Sequence, residues 1–161
     1  MSAEIDAKIM KAEKALKKLD YVSEKVSAKE FHDYMTGEIF SEDKTSLRDV
    51  LNSEFLIIHE IVEMSELKKM GKTINKRTIM ESPKTMIYEA HFTAMEYELN
   101  QALLRKDYSW IGTRLEQHKL VLVDDPYLPE ELKPRGKAIL ERFRKLIKNL
   151  NEPYSFPLKR Q

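Results

Sequence analysis

Glu54-Phe55-Leu56-Ile57-Ile58-His59-Glu60-Ile61-Val62-Glu63-Met64 is the most apolar run in the chain, yet it holds three glutamates and a histidine. At about 100° per residue, Leu47, Leu51, Glu54, Ile58, Ile61 and Val62 share one face, which places Glu54 inside an apolar stripe. Leu56, Ile57, Met64 and Leu67 cover much of the remaining circumference, and a helix that is apolar nearly all round is a buried one. The spacing therefore predicts a central helix over about 46–70, capped by Ser41 or Asp43. Lys68-Lys69 and then Gly71 are the usual stop, cations in the last turn followed by a residue free to take positive φ.

Other helices are legible on either side. Ile5, Ile9, Ala12, Leu16 and Leu19 recur every three or four residues, the pattern of an amphipathic helix over 3–20. Ser27 with Glu30 three residues on is a capping-box signature for a second helix through Phe31, Tyr34 and Met35. Ser82-Pro83 opens a long helix to about residue 106, since Pro suits the first helical position. Tyr88, Phe92, Met95, Leu99 and Leu103 form its apolar stripe. Asp107 starts a helix through Ile111, Leu115 and Leu122 that stops at Asp124-Asp125-Pro126. A last helical stretch begins near Pro129 and keeps its spacing through Phe143 to Leu150. Only Leu120–Val123 has β-branched character, so the fold class is all-α: a single helical bundle of five to six helices, with 46–70 paired antiparallel against 83–106. The expected organisation is one domain over 1–150 and an extended basic tail over 151–161.

Composition narrows the function classes. With 161 residues, an apolar share of 42% and a charged share of 34%, the chain can bury a core and is not of disordered type. It has no cysteine, so thiolate metal sites, disulfides and cysteine nucleophiles are excluded, and a cytoplasmic location is expected. No apolar run approaches the roughly 20 residues of a membrane span, and Met1–Asp20 lacks the apolar core of a signal peptide. Net charge is +1, but it is unevenly spread: −7 over 24–66 and +7 over 133–161. We read these as complementary faces within the fold or across a dimer. Nucleic acid is not expected, because no aromatic-rich RNA-binding strand accompanies the basic stretch.

Polar residues on apolar faces mark the candidate site. His91 and Glu98 lie on one edge of the 83–106 stripe, within about 20° of each other, with Met95 between them. His118 shares a face with Ile111, Leu115 and Leu122, and Arg114 lies one turn before it. Carboxylates and imidazoles projecting inward from facing helices are the chemistry of a metal centre in a helical bundle. The candidate ligands are His59, Glu63, His91, Glu98 and His118, for a divalent Fe, Mn, Zn or Mg ion. Glu54 and Arg114 are expected as buried polar residues. Glu54 and His59 lie about 140° apart and cannot easily share one centre, whereas His59 and Glu63, one turn apart, can.

Two short motifs resemble those of known families. His32-Asp33 resembles the dipeptide of HD-type metal-dependent phosphohydrolases, which need a further histidine upstream; none precedes His32. Glu60-x-x-Glu63 resembles half of the paired acidic motifs with which all-α nucleotide pyrophosphohydrolases of the MazG type hold Mg²⁺. The other half should read Glu-x-x-Asp, but Glu96 is followed by Leu99 and Glu89 by Phe92. The Glu-x-x-His pairs of ferritin-like di-iron proteins are absent from the sequence. Two functions remain. The leading expectation is a helical module that self-associates or binds a protein partner. The alternative is a metal-dependent hydrolase or phosphohydrolase.

Overall fold

The computed structural model describes residues 2–41, 43 and 45–160, with side chains as far as residue 150. The protein is all-α, and among the described residues there is no strand. The helices are α1 (Ser2–Lys18), α2 (Ala28–Met35), α3 (Leu47–Leu51), α4 (Glu54–Lys69), α5 (Thr78–Glu81), α6 (Lys84–Leu104), α7 (Tyr108–Asp124) and α8 (Lys133–Arg160). By packing, the chain divides into two compact units, Met1–Gln101 and Ala102–Gln161.

In the first unit α4 is the central helix. Phe55, Ile57, Ile58, Ile61, Val62, Met64 and Leu67 are all buried, which uses nearly its whole circumference. α1 packs on it through Ile5, Ile9, Ala12 and Leu16, and α2 and α3 close the core. α6 lies antiparallel to α4: Glu54, His59 and Glu63 descend α4 while their partners Gln101, Glu98 and His91 ascend α6. The one continuous helix expected over 46–70 is two. Ser46 and Ser53, not Ser41 or Asp43, are the caps. The Ser46 hydroxyl accepts from the Asp49 N–H while Asp49 returns the bond, and the Ser53 hydroxyl accepts from the Leu56 N–H. Each serine offers the backbone a local partner in place of the helical one, so the chain breaks at Asn52-Ser53 and α4 starts with a new phase.

Three helix ends share one construction. The N–H groups of Tyr21, Lys72 and Asp107 donate to the carbonyls of Leu16, Leu67 and Ala102 at 3.0, 2.9 and 2.9 Å. The residue between, in positive φ, is Asp20, Gly71 or Lys106. This is the Schellman closure, and only at Gly71 does the sequence announce it. Gly37 serves a different need. A Cβ there would lie 2.5 Å from the Lys76 carbonyl oxygen, which accepts from the Glu38 N–H. The absent side chain lets the loop after α2 dock against the loop before α5.

In the second unit α7 and α8 pack together through Ile111, Leu115 and Leu122 and through Ile139, Leu140 and Phe143. Asp107 caps α7 by accepting from the Trp110 N–H, and a 3-10 turn over Glu130–Leu132 leads into α8. The expected extended tail over 151–161 meets a backbone that stays helical to Arg160, past Pro153 and Pro157. The side chains from 151 onward lie outside the described residues. No helix among the described residues is long and apolar enough to cross a membrane.

Candidate metal centre

The polar residues of α4 and α6 meet where the two helices are antiparallel neighbours. His59 and Glu63 are one turn apart on α4, so their side chains leave the helix in nearly the same direction. Because α4 is buried almost all round, that direction leads into protein: His59 is 2% exposed and Glu63 7%. Across the interface α6 contributes His91 and Glu98, two turns apart on one edge, with Glu98 fully buried. The His59 and His91 rings stand 4.9 Å apart between centroids.

His59 is the hub, and its two ring nitrogens do different things. Nδ1 lies 2.8 Å from Glu98 Oε1. Nε2, on the opposite edge of the ring, lies 3.2 Å from Glu63 Oε2 and 3.2 Å from His91 Nδ1. His91 Nδ1 and Glu63 Oε2 are 3.4 Å apart. These three atoms, two nitrogens and one oxygen, form a nearly equilateral triangle. Metal–nitrogen bonds of roughly 2.0–2.1 Å in tetrahedral geometry put neighbouring donors about 3.3 Å apart. The spacing of the His59, Glu63 and His91 cluster is thus one that could coordinate a divalent metal ion.

Outside the triangle, partners hold two of the three donors in place. Glu98 accepts the His59 Nδ1 proton and so leaves Nε2 as the inward donor, the carboxylate–histidine–metal arrangement. Tyr34, buried on α2, donates its hydroxyl to Glu63 Oε1, leaving Oε2 toward the histidines. Burial, reinforced by the charges of Glu63 and Glu60, pushes the Tyr34 phenol well above its ordinary value, so it keeps its proton to donate. Burial alone would raise the Glu63 carboxyl, but hydrogen bonds from His59 and His91 and their charges hold it well below the usual carboxylate range. Burial opposes charge on His59 as well, yet the hydrogen bonds to Glu63 and Glu98 outweigh it and raise His59 to about 10. In the metal-free protein, then, a proton occupies His59 between two carboxylates.

The donor triangle has an open side. The His91 side chain is 29% exposed, and beside it on α6 the Tyr88 and Phe92 rings lead toward Phe40. Glu60, one residue after His59, reaches to 4.0 Å from His59 Nε2.

The sequence-derived candidates divide accordingly. His59, Glu63 and His91 come together as donors. Glu98 reaches the same cluster, but at the other ring nitrogen of His59, Nδ1, and is not in the donor group. His118 lies in the second unit, buried, with Nε2 2.8 Å from the Gly136 carbonyl oxygen, and is not in the donor group. Glu54 is exposed, not buried. As the first residue of α4 it follows the Asn52-Ser53 break, so the phase counted from Leu47 does not apply to it, and it accepts from Gln101 Nε2 at 2.8 Å. Arg114 is half-buried and pairs with Gln117 on its own helix. Two participants were missed. Tyr34 was read only as an apolar position, although a buried tyrosine brings a hydroxyl that needs a partner. Glu60 was noticed only within Glu-x-x-Glu. Comparison with protein-family models, with curated proteins and with solved structures returns no match for this chain.

Proposed function

We propose that this chain is a metal-dependent hydrolase whose first unit holds one divalent transition metal through His59 Nε2, Glu63 Oε2 and His91 Nδ1. The observation that carries this reading is the donor triangle of 3.2, 3.2 and 3.4 Å, two imidazoles and a carboxylate converging on one point. Two nitrogen donors favour Zn, Fe or Mn over Mg, which prefers oxygen alone. Three protein donors leave a fourth tetrahedral position for water, the pattern of catalytic rather than structural sites. The partial exposure of His91 supports access of substrate from that side. Titration of chelator-treated protein with Zn²⁺ tests the reading. One equivalent should bind, and the melting temperature should rise with it. His91→Ala should keep its helical content but lose both responses; stoichiometric binding by that variant would refute the assignment.

A second reading, self-association, draws support from the second unit. Leu120 and Val123, neighbours on one face of α7, are 61% and 71% exposed. Light scattering of the wild type and of a Leu120→Glu, Val123→Glu variant tests it: a species heavier than the monomer should be lost in the variant, and a strict monomer in both would refute it.

A further inference from the structure

We propose that Glu60 is the general base of this centre, taking the proton from the water that occupies the fourth position as that water attacks an ester. The inference rests on the metal reading above and adds the residue that would make it a catalyst. Two observations converge on Glu60. Its carboxylate stands 4.0 Å from His59 Nε2, the nitrogen that the metal reading makes a donor. It nevertheless stays outside the group of donors that all lie within 4.8 Å of one another. At least one of the other donors therefore lies beyond 4.8 Å of Glu60, farther than the about 4.2 Å, twice the bond length, that two ligands of one metal can span, so Glu60 as placed is a neighbour of the metal position and not a ligand.

Helix geometry produces this division of labour. Glu63, at i+4 from His59, shares its direction; Glu60, at i+1, is rotated by about 100° and comes to the rim, where its side chain is 15% exposed. A base needs that kind of position, at the rim of the cluster and outside its donor set. In the step, the water oxygen forms a bond to the acyl carbon while Glu60 takes one water proton. The bond from that carbon to the leaving oxygen then breaks, and Glu60 passes the proton to the leaving alkoxide. Ester and water become acid and alcohol, with Glu60 restored.

The test compares full-length wild type, Glu60→Gln and Glu60→Asp, each loaded with Co²⁺, whose visible spectrum reports both binding and ionisation of a bound water. We expect Glu60→Gln to bind Co²⁺ within about threefold of wild type while the pH midpoint of the spectral transition moves by a unit or more. Hydrolysis of p-nitrophenyl acetate should fall about 100-fold or more, within the usual share of a general base, and the acidic limb of its pH profile should vanish. Glu60→Asp should retain that limb at a reduced rate, and it stands in if Glu60→Gln does not fold. Loss of Co²⁺ from Glu60→Gln would overturn the proposal by making Glu60 a ligand. An unmoved midpoint and an unchanged rate, or a wild-type spectrum with no pH transition, would overturn it by leaving Glu60 nothing to do. Failure of the wild type to bind Co²⁺ would instead sink the metal reading on which the inference rests.

Discussion

Replacing Glu98 by Gln isolates one hydrogen bond in the site. Glu98 is fully buried and its Oε1 lies 2.8 Å from His59 Nδ1; glutamine keeps the shape and an acceptor oxygen but removes the charge. A hydrogen bond to a charged group contributes about 1.5–3 kcal/mol and a neutral one about 0.5–1.5. The difference, about 1–2 kcal/mol, corresponds to roughly a 5- to 30-fold weaker Kd for the metal once competition from the His59 proton, which the same substitution eases, is corrected for. That overlaps the 10- to 100-fold typical of such outer partners. Helical content should be unchanged, because the side-chain volume is. Competition between the protein and a chromophoric chelator for Zn²⁺ measures the effect, with circular dichroism as the control. Two results would refute the reasoning. Affinity within twofold of wild type in a folded variant would mean that Glu98 does not orient His59. Complete loss of binding would mean that Glu98 is itself a ligand, which the placement of Nδ1 and Nε2 on opposite edges of the ring argues against.

The remaining predictions concern proton linkage and chain geometry. His59 in the metal-free protein titrates near 10 against an unperturbed 6.5, so below pH 10 a metal must displace its proton. Apparent affinity should rise about tenfold per pH unit from 6.5 upward and flatten near 10; isothermal titration in buffers of different ionisation enthalpy should count one proton released at pH 7.5, and a pH-independent Kd would contradict this. The same raised value makes the metal-free fold most favoured by His59 below pH 6.5 and progressively less so as pH climbs through 10. Lys106 holds positive φ, 59°, at a Schellman closure. Lys106→Gly should relieve a left-handed strain of about 1–2 kcal/mol at the cost of about 0.4–1 in unfolded-chain entropy, and so raise thermal stability slightly. A lower melting temperature would show that the lysine side chain contributes more than its backbone costs.

Several features of this protein are written in its local sequence. Ser27 with Glu30, and Asp107, cap their helices as expected because a cap needs only residues three apart. The burial of α4 follows from apolar residues on nearly every side of one turn after another. His59 and Glu63 share a direction because four residues make about one turn, whatever surrounds them. The break at Asn52-Ser53 was missed because Ser46-x-x-Asp49 and a lone Ser53 are weak signals within an unbroken helical period, and that error carried Glu54 to the wrong face.

Tertiary packing decided the rest. Which residues of α6 meet α4 depends on the sliding and rotation of one helix against the other, set by dozens of side-chain contacts that no periodicity encodes. Only that register put His91 and Glu98 beside different nitrogens of the same imidazole, His91 at Nε2 and Glu98 at Nδ1. Tyr34 comes from a helix some thirty residues upstream and reaches Glu63 only through the packed core. His118 has the same local credentials as His91, an imidazole on an apolar helical face, but its neighbour is the Gly136 carbonyl. A helix fixes the direction of a side chain within about 20°, whereas a metal site needs three atoms placed within a few tenths of an ångström. Local sequence determines the first, and only the folded chain determines the second.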